Sequence, residues 1–148
     1  MRKMIKTLIM IGLLCGSAFP FKLGLEFQAG SQLLVGANMR FSDLLEIKPQ
    51  LGFKINDASS QFNMAVSGNF YLPELGDLQH YAGAGLFLNV YEEQDEQFGI
   101  DGHYGLRYDI NKIFGVFGQV GLAMNLATEF EMASFSSGVG CTFYIINR

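Results

Sequence analysis

The chain has 148 residues, 49% of them hydrophobic, and its formal net charge is −4. This acidic balance argues against a nucleic-acid partner, because phosphates are bound by basic patches. Two cysteines and two histidines do not form a metal site of recognisable spacing, so we expect neither a metal nor another cofactor.

Residues 1–18 are predicted to be a cleaved secretory signal peptide. Three basic residues precede an apolar run at 8–14, which is too short to span a bilayer. Small residues at 16–18 place the expected cleavage before Phe19. The mature part, 19–148, is then long enough for a single domain, which we expect to be a barrel.

From Phe21 to Ile145 the dominant pattern is alternation between apolar and polar or small residues. In the first such segment the apolar positions are Leu23, Leu25 and Phe27. Successive side chains of a β-strand point to opposite faces, so each segment predicts a strand with one apolar face. Eight strands are predicted, at about 21–29, 32–41, 45–55, 61–72, 80–91, 97–108, 113–125 and 132–145.

Short turn sequences separate these strands. Gly30 followed by Ser31 is typical of a two-residue hairpin turn. Segments at 56–60 and 92–96 are polar, and the second is an acidic, solvated loop. Pro49 lies within the third strand, where its missing N–H predicts a bulge or a weak point in the ladder.

The predicted fold class is all-β: an eight-stranded antiparallel up-and-down transmembrane β-barrel. Strands of about 9–12 residues match the length needed to cross a bilayer at a tilt, and an even strand number is usual in bacterial outer-membrane barrels. A soluble periplasmic barrel of the lipocalin type has the same alternation but turns its apolar face inward. That alternative would bind an apolar ligand in its cavity.

Many aromatic residues fall near the predicted strand ends, where a transmembrane barrel has its interfacial girdles. The expected girdle residues are Phe41, Phe70, Tyr71, Tyr81, Tyr91, Phe98, Tyr108, Phe114 and Tyr144.

Three segments resemble strands of small outer-membrane barrels, the OmpA-like transmembrane domain and its relatives. They are YAGAGLF at 81–87, GLRYD at 105–109 and FGVFGQVGL at 114–122. The resemblance extends over about 21–145. It implies a bacterial outer-membrane location, a periplasmic N-terminus, short periplasmic turns and longer surface loops.

The resemblance also implies the partners: outer-membrane lipid and, during biogenesis, the β-barrel insertion machinery. We expect a monomer. The family usually ends on an aromatic residue that this machinery recognises, whereas this chain ends on Asn147 and Arg148. Its predicted surface loops are short, which argues against adhesion or receptor roles.

Charged residues on the polar face are expected to line the lumen. An eight-stranded barrel has room inside only for side chains, and an unpaired buried charge costs several kcal/mol. We therefore expect a paired network that plugs the lumen, with a narrow ion or small-solute channel along the same residues as the alternative. Its members would be Lys22, Glu26, Arg40, Glu46, Lys48, Lys54, Asp101, His103 and Arg107.

His103 lies two residues from Asp101 on the same predicted face. A histidine oriented by a carboxylate can act as a general base, but catalysis also requires a nucleophile within reach. The sequence offers only scattered serines such as Ser134 and Ser136. The expected function is therefore a structural, envelope-integrity role without catalytic activity.

Overall fold

The computed structural model describes residues 21–30, 32–56, 59–91, 96–126, 132–133 and 137–147, with the backbone alone described at 54–56, 59–60 and 132–133. The predicted signal peptide therefore lies outside the described residues, as does Ser31 of the predicted first hairpin turn. Within the described ranges, no helix is long and apolar enough to cross a membrane.

Strands account for nearly all of the described chain. They are β1 (Lys22–Gly30), β2 (Leu33–Arg40), β3 (Leu45–Asn56), β4 (Ser59–Tyr71), β5 (Gln79–Tyr91), β6 (Gln97–Asp109), β7 (Phe114–Asn125), β8 (Met132–Ala133) and β9 (Gly138–Asn147). The first seven predicted strands begin and end within two residues of these bounds. The eighth, predicted at 132–145, corresponds to β8 and β9, and 134–136 lies outside the described residues.

The strands close into a barrel. Each of β1 to β6 pairs antiparallel with the next strand, β7 pairs with β9, and β9 pairs with β1. Short β8 extends the edge of β7 by two further pairs. The predicted eight-stranded antiparallel up-and-down barrel is therefore confirmed, and β1–β7 and β9 are its eight strands.

Strand register determines the tilt and width of the barrel. Following paired residues once around the barrel from Asp109 on β6 leads back to β6 at Gly99, ten residues away. With a rise of about 3.3 Å per residue and a strand spacing of about 4.8 Å, this stagger tilts the strands by about 40°. A barrel of this size is filled by its own side chains.

Each strand turns its polar residues inward and its apolar residues outward. In β6, buried Asp101, His103 and Arg107 alternate with exposed Tyr104 and Leu106. The orientation follows from the period-two pleat of the strand. The faces assigned from the sequence are therefore the faces seen in the fold, with the polar one inside.

Inward-facing glycines make room for large side chains on the neighbouring strand. Gly105 pairs with Tyr81, and Gly99 pairs with Phe87. An added Cβ at either glycine would overlap the facing ring. The high glycine content of these strands therefore allows the interior of a narrow barrel to be packed.

Three tyrosines predicted for the interfacial girdles lie inside the barrel instead. Tyr71, Tyr81 and Tyr144 are only 2%, 0% and 6% exposed. They lie near strand ends, as a girdle requires, but they occupy inward positions of the pleat. Among the other predicted girdle residues, Phe70 and Tyr108 do face outward and are exposed.

Pro49 weakens the ladder of β3 without bulging it. The described pairing between β2 and β3 stops at Ala37 and Asn38, across from Pro49, and resumes in the same register. This matches the loss of one backbone donor at proline. A register shift lies elsewhere, between Leu23 and Gly24 where β1 pairs with β9.

Candidate functional site: the interior ion cluster

Four predicted lumen residues meet in the middle of the barrel, in what is called here the central ion cluster. Arg107 Nη1 donates to Glu46 Oε2 at 2.6 Å, and Arg107 Nη2 donates to Glu26 Oε2 at 2.9 Å. Lys48 Nζ donates to Glu26 Oε1 at 3.0 Å. These side chains are at most 1% exposed. Two cations therefore balance two carboxylates in a buried site that spans the lumen from β1 and β3 to β6.

Neutral donors complete the coordination of the two carboxylates. Asn38 and Thr142 donate to Glu26, and Asn69 and Tyr71 donate to Glu46, at distances of 2.7–3.2 Å. A buried ion pair is stable only when its remaining lone pairs are also satisfied. The period-two pattern places three of these donors, the two asparagines and the threonine, on the polar face. It contains no signal for which carboxylate each one contacts.

Aromatic rings and a glutamine cover the cation side of the cluster. Lys48 Nζ lies 5.1 Å from the ring centroid of Phe117 and 5.6 Å from that of Tyr81. Gln119 Oε1 accepts hydrogen bonds from Lys48 Nζ at 3.4 Å and from the Tyr81 hydroxyl at 2.9 Å. Ring faces attract cations electrostatically, so these contacts help to offset the desolvation of the ammonium group.

The Asp101–His103 pair joins the central ion cluster through an asparagine. His103 Nδ1 lies 2.8 Å from Asp101 Oδ2, and its Nε2 lies 2.6 Å from Asn69 Oδ1. Asn69 in turn donates to Glu46 at 2.8 Å. The described hydrogen bonds of His103 include no hydroxyl or thiol group. This geometry holds the ring in a polar network.

Two other predicted network residues, Lys22 and Arg40, form no described ion pair with the cluster. Lys22 Nζ is 3.5 Å from Asp109 Oδ2, near the strand ends. Arg40 also lies near a strand end, where it contacts Gln79 rather than a carboxylate. Arg40 is the cross-strand neighbour of Glu46, but its guanidinium group turns toward Gln79 and the carbonyls of the β2–β3 connection. The side chain of Lys54 lies outside the described residues.

The outer surface of the barrel is an uninterrupted apolar belt, formed by the outward residues of β1–β7 and β9. Large side chains on it are strongly exposed, including Val120 at 68% and Val139 at 67%. No outward side chain described in the belt is Asp, Glu, Lys or Arg. Along β6 the belt extends over eleven residues, from Phe98 to Tyr108, which is about 25 Å along the barrel axis at this tilt.

Neither sequence comparison relates the chain to a known protein: no protein-family model matches it, and no curated protein is significantly similar to it. Within the described part of the chain, no three His, Cys, Asp or Glu side chains come together as metal ligands. The belt and the interior are therefore the features that bear on function.

Proposed function

We propose that this protein is a bacterial outer-membrane β-barrel with a structural, envelope-integrity role and no catalytic activity. The apolar belt is the observation that carries the proposal. Soluble monomers rarely expose contiguous apolar patches beyond a few hundred Å², whereas this belt surrounds the barrel. Its height of about 25 Å equals that of the lipid-facing band of transmembrane barrels.

The interior supports a structural role. The central ion cluster and its neutral donors cross the lumen and bind strands from opposite sides of the barrel to each other. Lipid cannot hydrogen-bond polar groups, so a barrel that faces lipid places its polar side chains inside. We infer that the lumen of this barrel is a packed plug.

The alternative of a soluble lipocalin-like barrel has less support. It requires an apolar lumen, but most buried residues of the described interior are polar or charged, and the apolar ones that cluster there are Ala65, Phe87 and Ala123. The large apolar side chains lie outside, where a soluble barrel would have polar ones.

The orientation follows the OmpA-like resemblance. β1 begins and β9 ends at the barrel end that also holds the β2–β3, β4–β5 and β6–β7 connections, which we call the turn end. We propose that the turn end faces the periplasm and that the chain is monomeric. The closed sheet agrees with a monomer, because a closed barrel has no free strand edge. Its partners would be lipid and, during assembly, the insertion machinery.

Cell fractionation followed by electrophoresis of boiled and unboiled samples tests this proposal. We expect the protein in the outer-membrane fraction, with a mobility that changes on boiling because the folded barrel resists detergent. Recovery in the soluble fraction without detergent would contradict the proposal and favour the soluble barrel.

A narrow channel is the second candidate, because polar side chains line the lumen from end to end. The described contacts run from Lys22 and Asp109 at the turn end to Gln97 and Asn125 near the other end. The central ion cluster lies across this path. A channel would give planar-bilayer conductance that changes in Lys48→Gln but not in Lys112→Gln, a change in the exposed β6–β7 connection. The structural role predicts no conductance in the wild type.

A further inference from the structure

A cavity lies at the turn end, between the β2–β3 and β4–β5 connections. Its volume is about 450 Å³, within the range of small-ligand sites. Arg40 and Gln79 line it on the lumen side, and Leu44, Phe70 and Leu72 are among its apolar lining residues. We refer to it as the turn-end cavity.

Arg40 is a buried cation without an anionic partner. It is 4% exposed, and the described salt bridges do not include it. Its Nε donates to the Ser42 carbonyl at 3.2 Å, Nη1 to Gln79 Oε1 at 2.8 Å and Nη2 to the Asp43 carbonyl at 2.8 Å. A guanidinium has five N–H donors, so one remains on each terminal nitrogen.

Compared with the cations of the central ion cluster, Arg40 lacks a carboxylate in direct contact. Lys48 and Arg107 are also buried, and both contact carboxylates. Arg40 instead stacks on the Tyr71 ring, 3.9 Å from its centroid, which attracts the cation without neutralising it. Two terminal N–H groups of a guanidinium are suited to bidentate binding of a phosphate.

Two carboxylates on the exposed side of the same cavity restrict the ligand further. Asp43 and Glu74 both line it and are exposed. Glu74 Oε1 accepts a hydrogen bond from Gln79 Nε2 at 3.3 Å. Gln79 is also the residue to which Arg40 Nη1 donates. These carboxylates would repel a simple anion and attract a cation. A phosphate joined to an ammonium by a short linker satisfies both requirements.

The apolar lining connects the cavity to the belt. Leu44 and Phe70 are 53% and 52% exposed, and Phe70 is itself an outward residue of β4. We propose that the turn-end cavity binds the headgroup of a phospholipid with a primary ammonium, of the phosphatidylethanolamine type. The phosphate contacts Arg40, the ammonium contacts Asp43 or Glu74, and the acyl chains lie on the belt. This inference rests on the proposed function, since it requires lipid at the turn end.

Native mass spectrometry of the detergent-solubilised barrel tests the site. The protein is mixed with equimolar dioleoyl phosphatidylethanolamine, phosphatidylglycerol and phosphatidylcholine, and the retained lipid is identified. We expect the wild type to retain phosphatidylethanolamine preferentially. Arg40→Gln should reduce this retention about tenfold through loss of a charge-assisted contact. Lys22→Gln, a cation change outside the cavity, should leave retention unchanged.

A second pair of variants tests the ammonium contact. The double variant Asp43→Asn and Glu74→Gln should lose the preference for phosphatidylethanolamine over phosphatidylglycerol, because only the phosphate contact remains. Gel mobility before and after boiling monitors folding of every variant. If Arg40→Gln does not fold, Arg40→Lys replaces it and should retain less phosphatidylethanolamine than the wild type.

Three results would overturn the inference: equal retention of the three lipids, equal behaviour of the Arg40 and Lys22 variants, or displacement of the lipid by millimolar inorganic phosphate. The last would identify a site for free phosphate. Failure of the membrane proposal would look different, because the wild type would then remain soluble without detergent and show no mobility change on boiling.

Discussion

At the scale of single residues, Arg107 joins the two carboxylates of the central ion cluster. It is fully buried and donates to carboxylates on two different strands, Glu26 on β1 and Glu46 on β3. Removing one partner of a buried ion pair lowers the free energy of unfolding by more than the intact pair contributes to it, because an uncompensated charge stays behind. Here two carboxylates would lose their shared cation.

We therefore predict that Arg107→Met lowers the free energy of unfolding by about 3–5 kcal/mol. Urea titration in lipid vesicles, followed by far-ultraviolet circular dichroism, measures the change. Lys22→Met is the control. Its pair with Asp109 is partly exposed, so the expected loss is about 1 kcal/mol or less. Equal losses in the two variants would show that the cluster does not stabilise the barrel as described.

Two glycines on β6 provide a second comparison. Gly105 faces inward against the Tyr81 ring, whereas Gly102 faces outward with nothing within 4 Å of an added Cβ. We predict that Gly105→Ala destabilises the barrel by about 1–3 kcal/mol through overpacking. Gly102→Ala should change stability little. The same urea titration checks both, and a larger effect at Gly102 would refute the packing argument.

At the scale of strands, the alternating pattern was enough to predict the elements and their faces, since the pleat and the residue pattern share one period. Contacts between distant strands were not predictable in the same way. The pairing of Arg107 with Glu26 depends on the stagger of the closed barrel, which no single strand encodes. Tyr71 shows the same limit, because closeness to a strand end suggested a girdle while its inward position buries it.

The interrupted ladder at Pro49 leads to a prediction about β3. The described pairs between β2 and β3 are missing at Ala37 and Asn38, and the position of Pro49 faces outward. Pro49→Val would restore a backbone donor on a β-branched residue, so we expect a gain of about 1 kcal/mol. A higher urea midpoint, with faster amide exchange at Ala37 in the wild type than in the variant, would support this. An unchanged midpoint would contradict it.

The apolar belt predicts that an added lysine costs more stability in the middle of a strand than in a turn. Val120 lies in the middle of β7, whereas Asp77 lies in the exposed β4–β5 connection. Val120→Lys should destabilise the barrel in vesicles by about 2–4 kcal/mol, the cost of a lysine at the bilayer midplane. Asp77→Lys should cost less than about 1 kcal/mol. A soluble protein would tolerate both substitutions equally.

At the scale of the whole molecule, the barrel reverses the arrangement of a soluble domain. Its charges meet in the centre, where they balance, and its largest apolar side chains lie on the outside. The surroundings of Arg40 could not be predicted from the sequence pattern. The sequence places Arg40 on the polar face, but its lack of a carboxylate becomes evident only when the two neighbouring connections are brought together.

The most direct test of a membrane-spanning barrel is to measure whether alternate positions along β7 face lipid or water. Spin labels are placed singly at 116–124 in a Cys141→Ser background in vesicles, and collisions with oxygen and with a water-soluble nickel chelate are measured. We expect the outward positions, 116, 118, 120, 122 and 124, to meet oxygen far more often than nickel, with the intervening positions accessible to neither. Frequent nickel collisions at the outward positions would place the belt in water and contradict a membrane-spanning barrel.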